Sequence, residues 1–163
     1  MLEEKKLLPD KLRPGFCGRS ISLLVVEDEE VHQELIKNVL SGDDPKFRIL
    51  FAETLEEAVG ILTSNPVDCV LLDHNLPDGL GTQFLADGEE LLLETPVLSF
   101  STSADPEVAL AEYRAGCNDF VLKRDAFRGD QLRTEILQTI SKFTARGFRQ
   151  ALTNYARRMS VQD

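Results

Sequence analysis

The sequence predicts an α/β protein built on a doubly wound parallel sheet of five strands. Two observations carry this. Short runs of Val, Leu and Ile, such as ISLLVV at residues 21–26, lack the polar alternation of a half-exposed strand and read as strands covered on both faces. Between them lie segments whose apolar residues recur at helical spacing. Strict strand–helix alternation implies parallel pairing, since each crossover helix must pack back onto the sheet. In such sheets the reactive crevice lies outside the carboxyl ends of the strands.

Residues 1–19 are polar and broken by Pro9, Pro14, Gly15 and Gly18, and read as a loosely held arm. Order is expected from Ile21. The first strand ends in acid at Glu27, Asp28, Glu29 and Glu30. A helix over 31–40 places Val31, Leu35, Ile36, Val39 and Leu40 at helical spacing, and Ser41-Gly42 stops it. Residues 47–51 form the second strand. Thr54 and Glu57 have capping-box spacing, opening a helix with Leu55, Ala58, Val59 and Leu62 on one face. The third strand, 67–72, ends at Asp73; the loop HNLPDGLG follows, then a helix over 82–93 and a fourth strand over 97–100. Asp105-Pro106 opens a helix to Ala115, Gly116 ends it, and 120–122 is the fifth strand. A last helix starts near Gly129-Asp130.

With 18 Lys and Arg against 28 Asp and Glu, the net charge of −10 argues against a general nucleic-acid surface and against docking on an anionic membrane. No stretch approaches the roughly 20 apolar residues that span a bilayer. The amino terminus, MLEEKKLLPDKLRPG, has charges throughout and no signal-peptide core. Cys17, Cys69 and Cys117 show no CxxC or Cys/His spacing, which favours a reducing compartment. The expected location is cytoplasmic.

At the carboxyl ends of the strands stand Glu27 and Asp28 (first), Asp73 (third), Ser101 (fourth) and Lys123 (fifth). Each has an ordinary structural role open to it. Asp28 can cap a helix, Asp73 can satisfy loop amides, Ser101 can make a local turn in SFSTS, and Lys123 can be a solvated charge. Four such residues on one rim also suit a shared site. Crowded carboxylates raise one another's pKa, and a hard cation relieves the repulsion. Mg²⁺ prefers oxygen and takes one or two carboxylates plus phosphate oxygens. Asp28 and Asp73 can supply the carboxylates, the Asn75 main-chain carbonyl a third oxygen, and Glu27 can hold a coordinated water. Asp73 can then attack phosphorus, with Ser101 and Lys123 on the transferred phosphoryl oxygens.

The segments LLVVEDEE (23–30), VLLDHNLPDG (70–79), PVLSFSTS (96–103) and GCNDFVLKR (116–124) together resemble a receiver domain of the two-component response-regulator family over about residues 20–143. The resemblance implies a flavodoxin-like sheet in the order 2-1-3-4-5 and phosphorylation of Asp73 by a histidine kinase or histidine phosphotransfer protein. It further implies Mg²⁺ binding at Glu27, Asp28, Asp73 and the Asn75 carbonyl, phosphoryl contacts from Ser101 and Lys123, and an aromatic switch at Phe120 acting on the fourth helix and fifth strand. Taken alone, Phe120 reads as core filling. Against the family pattern, Arg124 stands where proline is usual, Ser101 replaces the commoner Thr, and Thr102 replaces a small residue; none removes an essential group. An aspartate-nucleophile phosphohydrolase is the enzyme alternative, but it needs an acid two residues beyond its nucleophile, where this chain has Asn75. A pseudo-receiver that only binds partners is the other.

Residues 144–163 read as a helical extension or linker. Leu132, Ile136, Ile140 and Phe143 can face the sheet. Beyond them Phe148, Leu152, Tyr155 and Met159 recur at intervals of 4, 3 and 4, flanked by Arg146, Arg149, Arg157 and Arg158. That stripe can fold back on the domain or pair with a second copy, and pairing is favoured; Gly147 lowers helix propensity at the junction. An output unit beyond residue 163 is expected. The ending MSVQD has a short likeness to linkers leading into diguanylate cyclase domains.

Overall fold

The computed structural model describes residues 19–43 and 45–161; the expected arm, except Arg19, and Cys17 lie outside them. The elements are β1 (Ile21–Val26), α1 (Glu30–Val39), β2 (Phe47–Ala52), α2 (Leu55–Ser64), β3 (Cys69–Asp73), α3 (Gly81–Asp87), β4 (Val97–Ser101), α4 (Pro106–Ala115), β5 (Asp119–Leu122), α5 (Lys123–Ala126) and α6 (Gln131–Ser160). The five strands pair in parallel in the order β2-β1-β3-β4-β5. The chain reverses its direction of growth between β1 and β3, so the residues after these two strands flank the switch point where such sheets bind ligands.

Both sheet faces are covered, which is why the strands carry no polar alternation. Leu23, Val25, Leu71 and Phe100 pack with Ile36 of α1 and Leu132, Ile136 and Ile140 of α6. On the other face Leu24, Val26, Val70 and Leu72 pack with Ala58 of α2 and with Phe84 and Leu85 of α3. Each fully buried Leu, Ile or Phe contributes roughly 1.5–3 kcal/mol. α6 is further tied to β5 where Thr139 Oγ1 donates to Asp119 Oδ2 at 3.1 Å.

The helix faces expected from spacing are narrower in the structure. In α1, Ile36 is buried while Val31 and Leu35 are exposed; in α2, Ala58 is buried and Val59 exposed. The helix expected over 82–93 ends at Asp87. Gly88 caps it, its N–H donating to Phe84 O, and the following leucines form turns, with Leu93 exposed. Here apolar composition outran helical geometry, because a glycine already closed the helix. A one-turn helix, α5, which periodicity over four residues cannot reveal, intervenes between β5 and α6.

The loop after β3 is tightly built. Asn75–Leu76 and Gly79–Leu80 form a two-residue antiparallel ladder. Asp78 at its turn accepts from Leu55 N at 2.9 Å and Glu56 N at 3.1 Å, capping α2 from outside. Thr54 caps the same helix by accepting from Glu57 N, while Glu57 reaches back to Glu53 N, one residue before the cap. Gly81 closes the loop, its N–H donating to His74 O at 2.8 Å, and a Cβ there would stand 2.7 Å from Asp73 O. Gly81→Ala is therefore expected to displace main chain at Asp73 and cost about 2 kcal/mol, measured by urea unfolding.

Candidate functional site

Four of the expected residues meet at the carboxyl end of the sheet. Glu27, wholly buried, follows β1; Asp73 ends β3 and is nearly buried; Lys123 begins α5, where the chain leaves β5, and is buried too. The Lys123 ammonium donates to Glu27 Oε2 at 2.7 Å and lies 3.2 Å from Asp73 Oδ2. Its third neighbour is His32 Nδ1 at 3.1 Å, which must accept because an ammonium only donates. The ammonium also sits 4.8 Å from the Phe100 ring centroid. The solvated-lysine reading of Lys123 thus fails: its three donors face three acceptors in the interior.

Glu27 and Asp28 divide their work. Glu27 Oε1 accepts from Glu29 N at 2.9 Å, so both its oxygens are engaged. Its main-chain oxygen accepts from Gln33 Nε2 at 2.7 Å. Asp28 does not cap α1, whose cap position is Glu29 with no side-chain bond, and its carboxylate stays exposed. One oxygen each from Glu27, Asp28 and Asp73 lies within 4.8 Å of the others. Three hard oxygen donors at that spacing fit a cation such as Mg²⁺. Burial pushes the Asp73 carboxyl above the usual carboxylate range and Glu27's charge adds to the rise, while Lys123 opposes it. A cation would relieve that strain.

Asp73 Oδ1 accepts from His74 N at 2.7 Å, so it does satisfy a loop amide as well. Asn75 begins the ladder two residues on. Ser101 ends β4 and is buried; its hydroxyl accepts from Ser103 N at 3.1 Å, the local-turn role. Phe120 pairs in register with Ser99, is half-buried and belongs to neither core, so it is not core filling. Arg124 and Thr102 are exposed. Cys69 and Cys117 are free and buried, and burial pushes both thiols up to about 12, away from reactivity.

Sequence reasoning missed His32 and Glu112. His32 sits on α1 four residues beyond Asp28, but nothing in its spacing announces that it meets a lysine 91 positions away. Glu112 lies on α4 with no exposure at all, bonded to His74 and Ser99. A polar residue among the apolar positions of a helix was the available signal.

An acidic cluster, a buried lysine and a hydroxyl-bearing strand end thus gather at one end of this sheet. A model of the response regulator receiver domain matches residues 23–137, and the chain belongs to that family. Among relatives, the KDP operon transcriptional regulatory protein KdpE of Escherichia coli is 30% identical over 102 residues, 63% of this chain and 44% of that protein. The protein-glutamate methylesterase/protein-glutamine glutaminase of Treponema pallidum is 28% identical over 145 residues, 88% of this chain and 36% of that one. The chain thus spans less than half the length of either. Among solved structures, the Mn²⁺-bound form of response regulator Rcp1 superposes with a TM-score of 0.59 at 24% identity, covering 66% of this chain and 87% of that one. A CheY-like receiver domain protein from Methanospirillum hungatei gives 0.67 at 20%, covering 77% and 98%. Receiver domains are regulatory phosphoacceptors, served by histidine kinases, with an acidic pocket for Mg²⁺ or Mn²⁺. No helix among the described residues is long and apolar enough to cross a membrane.

Proposed function

We propose that this chain is a Mg²⁺-dependent switch of a two-component system or phosphorelay, phosphorylated on Asp73. The observation that carries the reading is the meeting of Glu27, Asp28, Asp73 and Lys123 at one strand-end crevice. A carboxylate oxygen of Asp73 attacks the phosphorus of a phosphohistidine on a kinase or phosphotransfer protein. The new O–P bond forms as the P–N bond breaks, and the donor leaves as imidazole. Mg²⁺, held by Asp28, Asp73 and the Asn75 carbonyl with Glu27 behind them, would neutralise the phosphoryl oxygens' charge. Lys123 turns from Asp73 to a phosphoryl oxygen while keeping Glu27. Ser101 gives up its turn with Ser103 N to donate to the same group, and Phe120, outside both cores, moves inward behind it. The altered surface of α4, β5 and α6 then acts on an attached output domain, a diguanylate cyclase on the likeness of MSVQD, or on a separate partner.

Incubation with Mg²⁺ and acetyl phosphate is expected to attach one alkali-labile phosphoryl group per chain, and none without Mg²⁺. Absence of any Mg²⁺-dependent change would leave a pseudo-receiver; repeated turnover of a phosphate ester would revive the hydrolase. Asn75 supports neither turnover nor an acid in that position.

For residues 144–163 we propose a helical extension that pairs with a second copy, placed after a receiver domain over 20–143. α6 continues through Gly147 to Ser160, and Phe148, Leu152, Tyr155 and Met159 all lie exposed on it, so the fold-back alternative is unsupported. Deleting 144–163 is expected to weaken self-association in sedimentation; an unchanged profile overturns the pairing.

A further inference from the structure

Outside the acidic pocket, the buried carboxyl group of Glu112 joins three elements. Its Oε1 is hydrogen-bonded to His74 Nδ1, and its Oε2 accepts from Ser99 Oγ at 3.0 Å. His74 follows the phosphoacceptor, and its own N–H donates to Asp73 Oδ1. Ser99 lies two residues before Ser101 on β4, so the two hydroxyls share one face of the sheet. A continuous polar path therefore runs from Asp73 through His74 to α4, with a branch onto the strand that carries the switch hydroxyl.

We propose that Glu112 is a positioning residue that makes α4 follow the phosphorylation state of Asp73, acting through His74 and Ser99. The proposal rests on the phosphoacceptor reading above. Apolar contacts carry no direction and fix no particular partner atom. A carboxyl group with no access to water cannot give up its partners without a desolvation penalty, so α4 moves with His74 rather than independently of it. A phosphoryl group changes the charge and reach of the carboxylate to which His74 N–H is bonded. The same event draws Ser101, and with it the strand bearing Ser99, toward Asp73. Both displacements arrive at Glu112. This route is separate from the Phe120 route to β5.

The test uses the full chain with Mg²⁺ and beryllofluoride as the phosphoryl mimic, read by hydrogen exchange. In the wild type, the loop after Asp73 and residues 106–115 are both expected to change exchange on addition. In His74→Leu/Glu112→Leu, which removes both partners and leaves no orphaned carboxyl, the loop is expected to respond as before while the α4 change falls by half or more. Glu112→Gln, which keeps an acceptor for His74 and a bond with Ser99, is expected to retain it. His74→Leu alone, at a partly exposed loop position, keeps the Ser99 bond to Glu112 and is the second variant should the double one not fold; it is expected to lose the share of the α4 change that passes through His74. A full α4 response in either leucine variant overturns the proposal. A wild type whose Asp73 loop does not respond at all defeats the phosphoacceptor reading itself.

Discussion

Asp73→Asn is expected to abolish Mg²⁺-dependent phosphorylation completely and, at neutral pH without metal, to make the protein more stable. The first effect follows because an amide is not a nucleophile toward phosphorus and no other carboxylate in the pocket is placed as Asp73 is. Glu27 has both oxygens engaged, and Asp28 lies outside with its side chain in solvent. The second follows from charge. Burial and Glu27 raise the Asp73 pKa in the folded protein against Lys123's opposition. A carboxyl whose folded pKa exceeds its unfolded one costs stability above that folded pKa, since the unfolded chain releases the proton more readily. Asparagine carries no such cost. The gain, about 1 kcal/mol on the scale of single stabilising substitutions, is expected in full above the raised pKa. It should shrink as pH falls through the raised pKa toward the ordinary carboxylate value, where the wild-type group is protonated in both states. Mg²⁺ binds only the folded form and is expected to stabilise the wild type more than the variant. Urea unfolding at several pH values, with and without Mg²⁺, reads all of this; a variant less stable than wild type at neutral pH would contradict the charge argument.

The parallel sheet and the pocket were legible in the sequence because both are written locally. ISLLVV and VLLD announce strands with two covered faces, and a residue at a strand's carboxyl end is placed by the end itself. Helix faces were harder to read. Val31, Leu35 and Val59 keep helical spacing yet lie exposed, because spacing tells which residues share a stripe and not how much of the stripe the sheet covers. The helix over 82–93 was overextended because three leucines outweighed Gly88. His32 and Glu112 were illegible for another reason. Their meaning is a contact made by tertiary folding, to Lys123 and to His74, across 91 and 38 positions, and no local pattern encodes such a partner. Ser101 shows the reverse limit: its turn with Ser103 is local and readable, while its proposed role appears only when a phosphoryl group arrives.

Lys123→Met is expected to cost about 3 kcal/mol, the other large effect. Methionine keeps an unbranched stem against Phe100 and removes the ammonium, with its charge and its hydrogen-bond donors. What remains is Glu27, with no exposure, holding one main-chain N–H at Oε1 and no cation at Oε2, where the nearest side-chain group left is His32 Nδ1 at 3.5 Å. Breaking a buried ion pair from one side strands the other charge, whereas replacing both sides by neutral groups is often tolerated. The double variant Glu27→Gln/Lys123→Met should therefore recover most of the loss, and a double-mutant cycle in urea measures the coupling. The single variant should also be stabilised by Mg²⁺ more than the wild type is, because the lysine it lacks was the pocket's only buried cation among the described residues. Were the single substitution as mild as the double one, Glu27 would have to be relieved by water or by a rearranged pocket, and Lys123 would then be free to serve the phosphoryl group alone. The two outcomes differ in what holds the resting pocket together, and the pair of substitutions separates them.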